Sequence, residues 1–148
     1  MAKLADLETQ IRVLGDIEAI KKLKAKYWRC IDKKLWDELE DCFVEYAVAD
    51  YGKNLNFQGR KAIIQFLKDN LGSDSVITVH QGHNPEIEIT SDTTAKGIWA
   101  LHDYLVFQPN ITINGWGHYE DEYVKQNGEW KKKSIKETRL REEWTRVK

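Results

Sequence analysis

Apolar residues recur every three or four positions over much of the first seventy residues, which is the spacing of helices that bury one face. The longest stripe consists of Ile17, Ile20, Leu23, Tyr27 and Ile31. Asp16 directly follows Gly15, so the stripe predicts a first helix with Asp16 as its N-terminal cap. Apolar residues before Gly15 predict one additional short amphipathic turn.

Two further helices are predicted in the first half of the chain. The second runs near residues 35–43. The third begins after Gly59 and ends at Gly72, a residue type that commonly stops helices. Between these two helices, residues 47–51 form a short strand candidate.

The second half of the chain favours strands, because apolar and polar residues alternate along much of it. The predicted strands span residues 76–80, 86–89, 95–107, 116–125 and 130–144. Asn127-Gly128, between the last two, is a strong signal for a two-residue hairpin turn. Helices followed by antiparallel strands predict an α+β domain with its helices on one side of a curved sheet.

Length and composition fit one folded unit. The chain has 148 residues, of which 41% are hydrophobic and 32% are charged. No repeat, low-complexity tract or Pro/Gly-rich linker divides the sequence. We therefore predict a single domain over residues 1–148.

The charge balance and the cysteines bear on partners and compartment. A net charge of −1 gives no basic field for nucleic acid or an anionic membrane. Cys30 and Cys42 are the only cysteines, without the spacing of a metal site, and are predicted to be reduced thiols. No apolar run near the N-terminus is long enough for a signal peptide or a membrane span. These features predict a cytoplasmic protein.

The sequence lacks the motifs that mark the common cofactor and metal chemistries. It contains no Gly-rich dinucleotide fingerprint, no phosphate-binding loop, no H-E-x-x-H and no G-x-S-x-G. His80 and His83 are three residues apart, so on a strand they point to opposite faces and are unsuited to sharing one metal. The predicted chemistry therefore uses no cofactor and no metal, or the domain only binds a ligand.

Three polar residues in these elements are candidates for function. Asp32 lies at the end of the first predicted helix, where the structural alternative is a helix-end residue that faces water. His80 lies where a predicted strand enters a turn. Arg139 lies in the last predicted strand, where an exposed surface arginine is the alternative.

Longer segments around these residues resemble the SnoaL-like dehydratases of the nuclear-transport-factor-2-like (NTF2-like) superfamily. The matching segments are residues 32–39, 80–87, 97–101 and 114–130, and the resemblance runs over residues 17–143. Within the family the chain is most similar to bile acid 7α-dehydratases. It is more distantly similar to scytalone dehydratases and hexachlorocyclohexane dehydrochlorinases.

The resemblance implies a fold and a set of site residues. The fold is an NTF2-like cone, with three N-terminal helices packed on a strongly curved, mixed and mostly antiparallel sheet. The implied catalytic residues are Asp32, His80 and Tyr27, with the aspartate and the histidine acting as a pair. The implied substrate-binding residues are Tyr51 and Arg139. His102, on the long strand, is a further substrate-binding candidate, with a polar residue of the sheet as its alternative.

These residue types suit a β-elimination. Histidine is a natural base for an acidified C–H because its pKa lies near neutral, and a carboxylate beside it holds its tautomer. Tyrosines can hydrogen-bond a substrate carbonyl or protonate a departing hydroxyl, and an arginine can anchor an anionic group. We therefore expect a cofactor-independent lyase, either a dehydratase or a related isomerase or cyclase, acting on a hydrophobic cyclic or polycyclic carbonyl compound. The alternative is a non-catalytic domain that binds a small apolar ligand or a partner protein.

The long predicted strand at residues 95–107 is apolar on both faces, and one layer of helices covers only one of them. We therefore expect self-association, and the resemblance suggests a trimer or a dimer. The expected partners are a small hydrophobic molecule and further copies of the chain, with no nucleic acid and no membrane.

Overall fold

The computed structural model describes residues 2–146, so the outermost residues of the predicted domain, 1, 147 and 148, lie outside it. The helices within this range are α1 (Ala2–Asp32), α2 (Trp36–Glu40) and α3 (Arg60–Leu71). The strands are β1 (Phe43–Asp50), β2 (Asn56–Gln58), β3 (Val76–Ile89), β4 (Thr94–Phe107), β5 (Ile111–Gln126) and β6 (Glu129–Arg146).

The strands form one sheet in the order β2-β1-β6-β5-β4-β3. β1 and β6 pair in parallel, whereas all other neighbours pair antiparallel. The buried faces of the helices and the inner face of the sheet share one hydrophobic core. The predicted α+β fold, with three helices on a mixed and mostly antiparallel sheet, is confirmed.

The first helix is longer than predicted. Gly15 lies inside α1, and the cost of an internal glycine, about 1 kcal/mol, is small against the burial of the apolar stripe that follows it. The prediction of Asp16 as a cap is therefore wrong. Its carboxylate instead accepts a hydrogen bond from Trp130 Nε1 at 2.8 Å and pairs with Lys125 Nζ at 2.8 Å. Both partners come from strands that are distant in sequence.

Other element boundaries also differ from the prediction. α2 is shorter, because Phe43 already belongs to β1 and pairs across the sheet. β2 has only three residues, too few for a pattern of alternation to identify it. The strands predicted at 76–80 and 86–89 are one strand, β3, with a shift of register around Pro85. A proline has no N–H for the ladder and is accommodated at such a bulge.

The predicted hairpin turn joins β5 to β6. Asn127 and Gly128 both have positive φ angles, 51° and 79°, which is the conformation of a two-residue type I′ turn. The turn sets the register of the two strands and, farther along, places Tyr119 opposite Glu137 on the inner face.

A close contact between α1 and β3 fixes the end of the long helix. The indole of Trp28 lies directly on Gly82, where any Cβ would come within 1.7 Å of Trp28 Cη2. On the same side the indole meets Trp99 edge to face, with 5.4 Å between ring centroids. Gly82 is thus the residue that lets α1 approach, and this approach brings Asp32 beside β3.

The core contains a buried cluster of charges below the helix. Asp121 Oδ2 accepts hydrogen bonds from Lys24 Nζ at 2.5 Å, Lys132 Nζ at 2.7 Å and the Tyr123 hydroxyl at 2.9 Å. The three charged side chains are 0% exposed. Burial lowers the pKa of Lys24 well below its usual value. Burial alone would raise the pKa of Asp121, but the ammonium groups of Lys132 and Lys24 hold that pKa below its usual value.

Candidate active site

A cavity of about 580 Å³ lies between α1, α3 and the inner face of the sheet. Much of its wall is apolar and comes from the helices and β4, namely Ile31, Phe66, Leu67, Leu71 and Leu105. Its polar groups include Tyr27, Tyr51, His80, Asp103, Tyr119, Glu137 and Arg139. A mostly apolar cavity with a few convergent polar groups is the common form of a small-molecule site.

His80 and Asp32 are joined by hydrogen bonds at the wall of this cavity. His80 Nδ1 lies 2.6 Å from Asp32 Oδ1. The backbone N–H of His80 donates to Asp32 Oδ2 at 2.9 Å, and the Thr78 hydroxyl donates to Oδ1 at 2.8 Å. The His80 side chain is only 8% exposed. Both carboxylate oxygens are thus engaged, and they hold the imidazole in one orientation.

The second ring nitrogen of His80 is left for a ligand. His80 borders the cavity, whereas Asp32 lies behind it and does not. An ionised carboxylate only accepts hydrogen bonds, so His80 Nδ1 carries the proton and Nε2 keeps its lone pair. This is the tautomer that a histidine base requires.

Two tyrosines face the same cavity. The hydroxyls of Tyr27 and Tyr51 lie 3.1 Å apart, and the Tyr51 ring stacks on Phe66 with 5.7 Å between centroids. Burial raises the pKa of Tyr27 and that of Tyr51, so both phenols stay protonated. Because the pair shares one hydrogen bond, one hydroxyl proton remains available for a ligand oxygen.

Arg139 reaches the cavity but is occupied by carboxylates. Nη1 and Nη2 donate to the two oxygens of Asp103, each at 2.7 Å, and Nε lies 2.6 Å from Glu137 Oε1. Gly115 leaves the space for this pairing, since a Cβ there would come within 2.0 Å of Arg139 Nη1. An arginine held in this way positions carboxylates and has little capacity left for an anionic ligand.

The structure does not bring His102 to the other site residues. It lies on the outer face of the sheet, stacked on Trp116 with 5.2 Å between ring centroids and an interplanar angle of 12°. The reason is the alternation of side chains along a strand. His80 pairs with Asp103 across β3 and β4, so Asp103 shares its inner face and His102 points away.

Three buried polar residues of the cavity were not identified from the sequence: Asp103, Tyr119 and Glu137. Each lies in phase with buried apolar residues of its strand, as Asp103 does with Trp99 and Leu101. A charged residue at an inward position of an otherwise apolar alternation was the available signal.

A second depression, of about 700 Å³, lies on the other side of His80, between α1 and β3. Trp28 and Trp99 form its floor, and the side chains of Lys21, Arg29 and Lys33 border it. Asp32 and His80 border this depression as well, but it contains none of the tyrosines or buried carboxylates of the first cavity, which is therefore the candidate active site.

The fold and the site geometry agree with the match to a known family. The profile of the SnoaL-like domain family matches residues 12–136. The chain belongs to the SnoaL-like family. Among residues 2–146 no cluster of three or more His, Cys, Asp or Glu side chains is placed to hold a metal ion. In the same range no helix has the length and apolar character that crossing a membrane requires.

Solved structures similar to this SnoaL-like domain include proteins assigned to elimination reactions. A scytalone dehydratase-like protein from Novosphingobium aromaticivorans superposes with a TM-score of 0.84 at 25% identity, over 94% of this chain and 93% of that one. A type 2 hexachlorocyclohexane dehydrochlorinase (LinA) superposes with a TM-score of 0.80 at 20% identity, over 94% and 93%. At 20% identity, the likeness to the dehydrochlorinase shows the shared fold. The predicted closeness to bile acid 7α-dehydratases stays a prediction.

Proposed function

We propose that this SnoaL-like protein is a cofactor-independent lyase that removes the elements of water, or another small leaving group, from a hydrophobic cyclic or polycyclic carbonyl compound. A related isomerase or cyclase would begin with the same proton abstraction. The observation that carries the proposal is the 2.6 Å contact between His80 Nδ1 and Asp32 Oδ1, which engages one ring nitrogen of a residue that borders an apolar cavity and leaves the other for a substrate.

His80 acts as the base in this proposal. Its Nε2 takes a proton from the carbon next to the substrate carbonyl, and the positive imidazolium that forms is stabilised by Asp32. In an apolar cavity this interaction is stronger than it would be in water. The two further bonds to Asp32, from Thr78 and from the backbone of His80, keep the carboxylate in place.

Tyr27 and Tyr51 stabilise the negative charge that develops on the carbonyl oxygen. Because burial keeps both phenols protonated, their hydroxyl pair can donate to an enolate oxygen without changing protonation state. Arg139, which is occupied by Asp103 and Glu137, orients these carboxylates. It is not assigned the role of anchoring a substrate anion.

The test uses 3-hydroxy-1-tetralone, a bicyclic β-hydroxyketone that forms fluorescent naphthol when it loses water. Its size suits a cavity of about 580 Å³. We expect the purified protein, pretreated with a chelator, to accelerate naphthol formation. A requirement for added metal would contradict the proposal. Binding of the hydroxytetralone in the cavity without turnover would instead favour the non-catalytic alternative.

We also propose that the chain self-associates, because two apolar surfaces of the described residues are exposed. The outer face of the sheet shows Ile77, Val79, Ile98 and Tyr104, and the first half of α1 shows Leu4, Leu7, Ile11 and Leu14. Contiguous exposed apolar surface of this kind is typical of an interface.

Light scattering should therefore give the mass of a dimer or a trimer at micromolar concentration. Val79→Lys, in the middle of the outer face, should shift the population towards the monomer, because a charge would be desolvated in the interface. Lys133→Glu, at an exposed position outside both surfaces, is the matched control. A monomer at high micromolar concentration would contradict self-association.

A further inference from the structure

The cavity contains more buried carboxylates than buried cations, since Lys53 and Lys136 at its edge are both largely exposed. Asp103 is 1% exposed and Glu137 is 8% exposed, and both make their ion pairs with Arg139. Lys53, at the mouth, is already paired with Glu142 at 2.9 Å and is largely exposed. One guanidinium therefore faces two buried carboxyl groups.

The geometry indicates which of the two carboxyl groups is the charged partner of Arg139. Asp103 receives both terminal nitrogens in a parallel, bidentate arrangement at 2.7 Å, the strongest form of arginine–carboxylate pairing. Glu137 receives Nε alone. A second negative charge buried beside an arginine that is already neutralised is costly, and protonation removes this cost.

Titratable and charged groups face Glu137 from every neighbouring element: Arg139 on β6, Tyr119 on β5, Asp103 on β4, His80 on β3, Tyr51 after β1 and Tyr27 on α1. Burial raises the pKa of Glu137 and Asp103 adds to this, whereas Arg139 and the Tyr119 hydroxyl oppose it. The net result is a pKa above the usual value of a glutamate. A carboxyl group whose pKa is raised keeps its proton to a higher pH than an ordinary glutamate, as a general acid requires.

We propose that Glu137 is the proton donor to the leaving oxygen, opposite His80; this assignment rests on the proposed function. Both residues border the cavity, with β4 and β5 between their strands. A substrate held in this cavity can therefore contact an acid from β6 and a base from β3.

The assigned step balances in protons and electrons. His80 Nε2 takes the proton from the carbon next to the carbonyl, and the electrons of that C–H bond form the new C=C bond. The C–O bond breaks, its electrons stay on oxygen, and this oxygen takes the proton of Glu137 to leave as water. The imidazolium of His80 then releases its proton to solvent, and the Glu137 carboxylate takes up a proton from solvent, so that the protein is unchanged.

Two probes with different leaving groups test the assignment. The hydroxytetralone needs a proton on its leaving oxygen, whereas the corresponding acetate ester, 3-acetoxy-1-tetralone, loses acetate without one. We expect Glu137→Gln to slow naphthol formation from the hydroxytetralone about a hundred-fold or more and to change the rate with the acetate little. The Gln side chain still accepts the hydrogen bond from Arg139 Nε, so the variant should fold.

Infrared spectroscopy gives a readout that does not depend on activity. Because the pKa of Glu137 is raised, the wild-type protein should keep the C=O stretch of one protonated carboxylic acid at pH values above the usual pKa of glutamate. This band should be missing in Glu137→Gln. If that variant does not fold, Glu137→Asp, which keeps the acid but is one methylene shorter, should retain the band and slow only the hydroxytetralone reaction.

Glu142→Gln is the matched control, since Glu142 also faces Arg139 but lies at the mouth, where Lys53 pairs with it and lowers its pKa. It should change the rates with both probes by the same factor. Equal effects of Glu137→Gln on both probes, or the absence of a band that depends on Glu137, would overturn the donor role. A wild-type protein that turns over neither probe would refute the proposed function and the donor role with it, while the band would still report the protonation of Glu137.

Discussion

Replacing His80 with Ala should reduce turnover of the hydroxytetralone by about a hundred- to ten-thousand-fold, which is the usual contribution of general base catalysis. The reason is that the Nε2 atom at the cavity wall is lost, while the cavity and its tyrosines remain. Asp32→Asn should have an effect of similar order, because it keeps the shape of the side chain and removes the charge that stabilises the imidazolium. Initial rates of naphthol formation measure both effects.

Combining Asp32→Asn with His80→Ala distinguishes a catalytic pair from two residues that act independently. If Asp32 acts through His80, the combined substitution should cost little more than the worse of the single ones, because members of a catalytic unit are strongly non-additive. His83→Ala is the control, since His83 is an exposed histidine of the same strand. Additive effects, or a silent Asp32→Asn, would contradict the pair.

The sequence contained enough information to predict the order of the elements apart from the three-residue strand β2. Regular alternation predicted β5 and the second part of β3, and a single dipeptide, Asn127-Gly128, predicted the turn that sets the β5–β6 register. The predictions failed where tertiary contacts outweighed local signals. Gly15 was predicted to precede the first helix, yet α1 continues through it. The Asp16 carboxylate binds Lys125 and Trp130 and does not cap its own helix.

The residues of the candidate site were likewise predicted only in part. The resemblance indicated Asp32, His80, Tyr27, Tyr51 and Arg139, and the structure brings the last four to one cavity with Asp32 behind His80. On β4, the residue that faces the cavity is Asp103 and not its neighbour His102. His102 was considered because a histidine has obvious chemistry, but only the pairing of His80 with Asp103 shows which residue of that strand faces inward.

Glu137 shows why the rest of the site was not accessible to sequence reasoning. The proposed role of Glu137 depends on the number of buried charged groups around Arg139. These groups come from two strands, β4 and β6. Neither burial nor the bidentate geometry of Asp103 can be read from spacing along the chain. Such assignments need the register of a complete sheet.

The largest expected effect on stability comes from Asp121, the only carboxylate that contacts Lys24 and Lys132 within the described residues. Asp121→Asn should lower the free energy of unfolding by about 3–5 kcal/mol, because it leaves two fully buried ammonium groups without a counter-charge. Lys24→Met should cost less, since it removes a group whose pKa burial already lowers and leaves the Lys132–Asp121 pair neutral. Urea denaturation of both variants measures this difference.

Glu120→Gln is the matched control for the cluster. Glu120 is the neighbour of Asp121 on the outer face, and its contact with Lys136, at 3.9 Å, is exposed. Exposed pairs contribute about 0–1 kcal/mol, so this variant should unfold close to the wild-type midpoint. Because both lysines also lie over the ring of Tyr27, the cluster supports the floor of the cavity, and Asp121→Asn should weaken ligand binding as well as folding. If Asp121→Asn and Glu120→Gln unfold at the same urea concentration, the buried charge cluster does not contribute the expected stability.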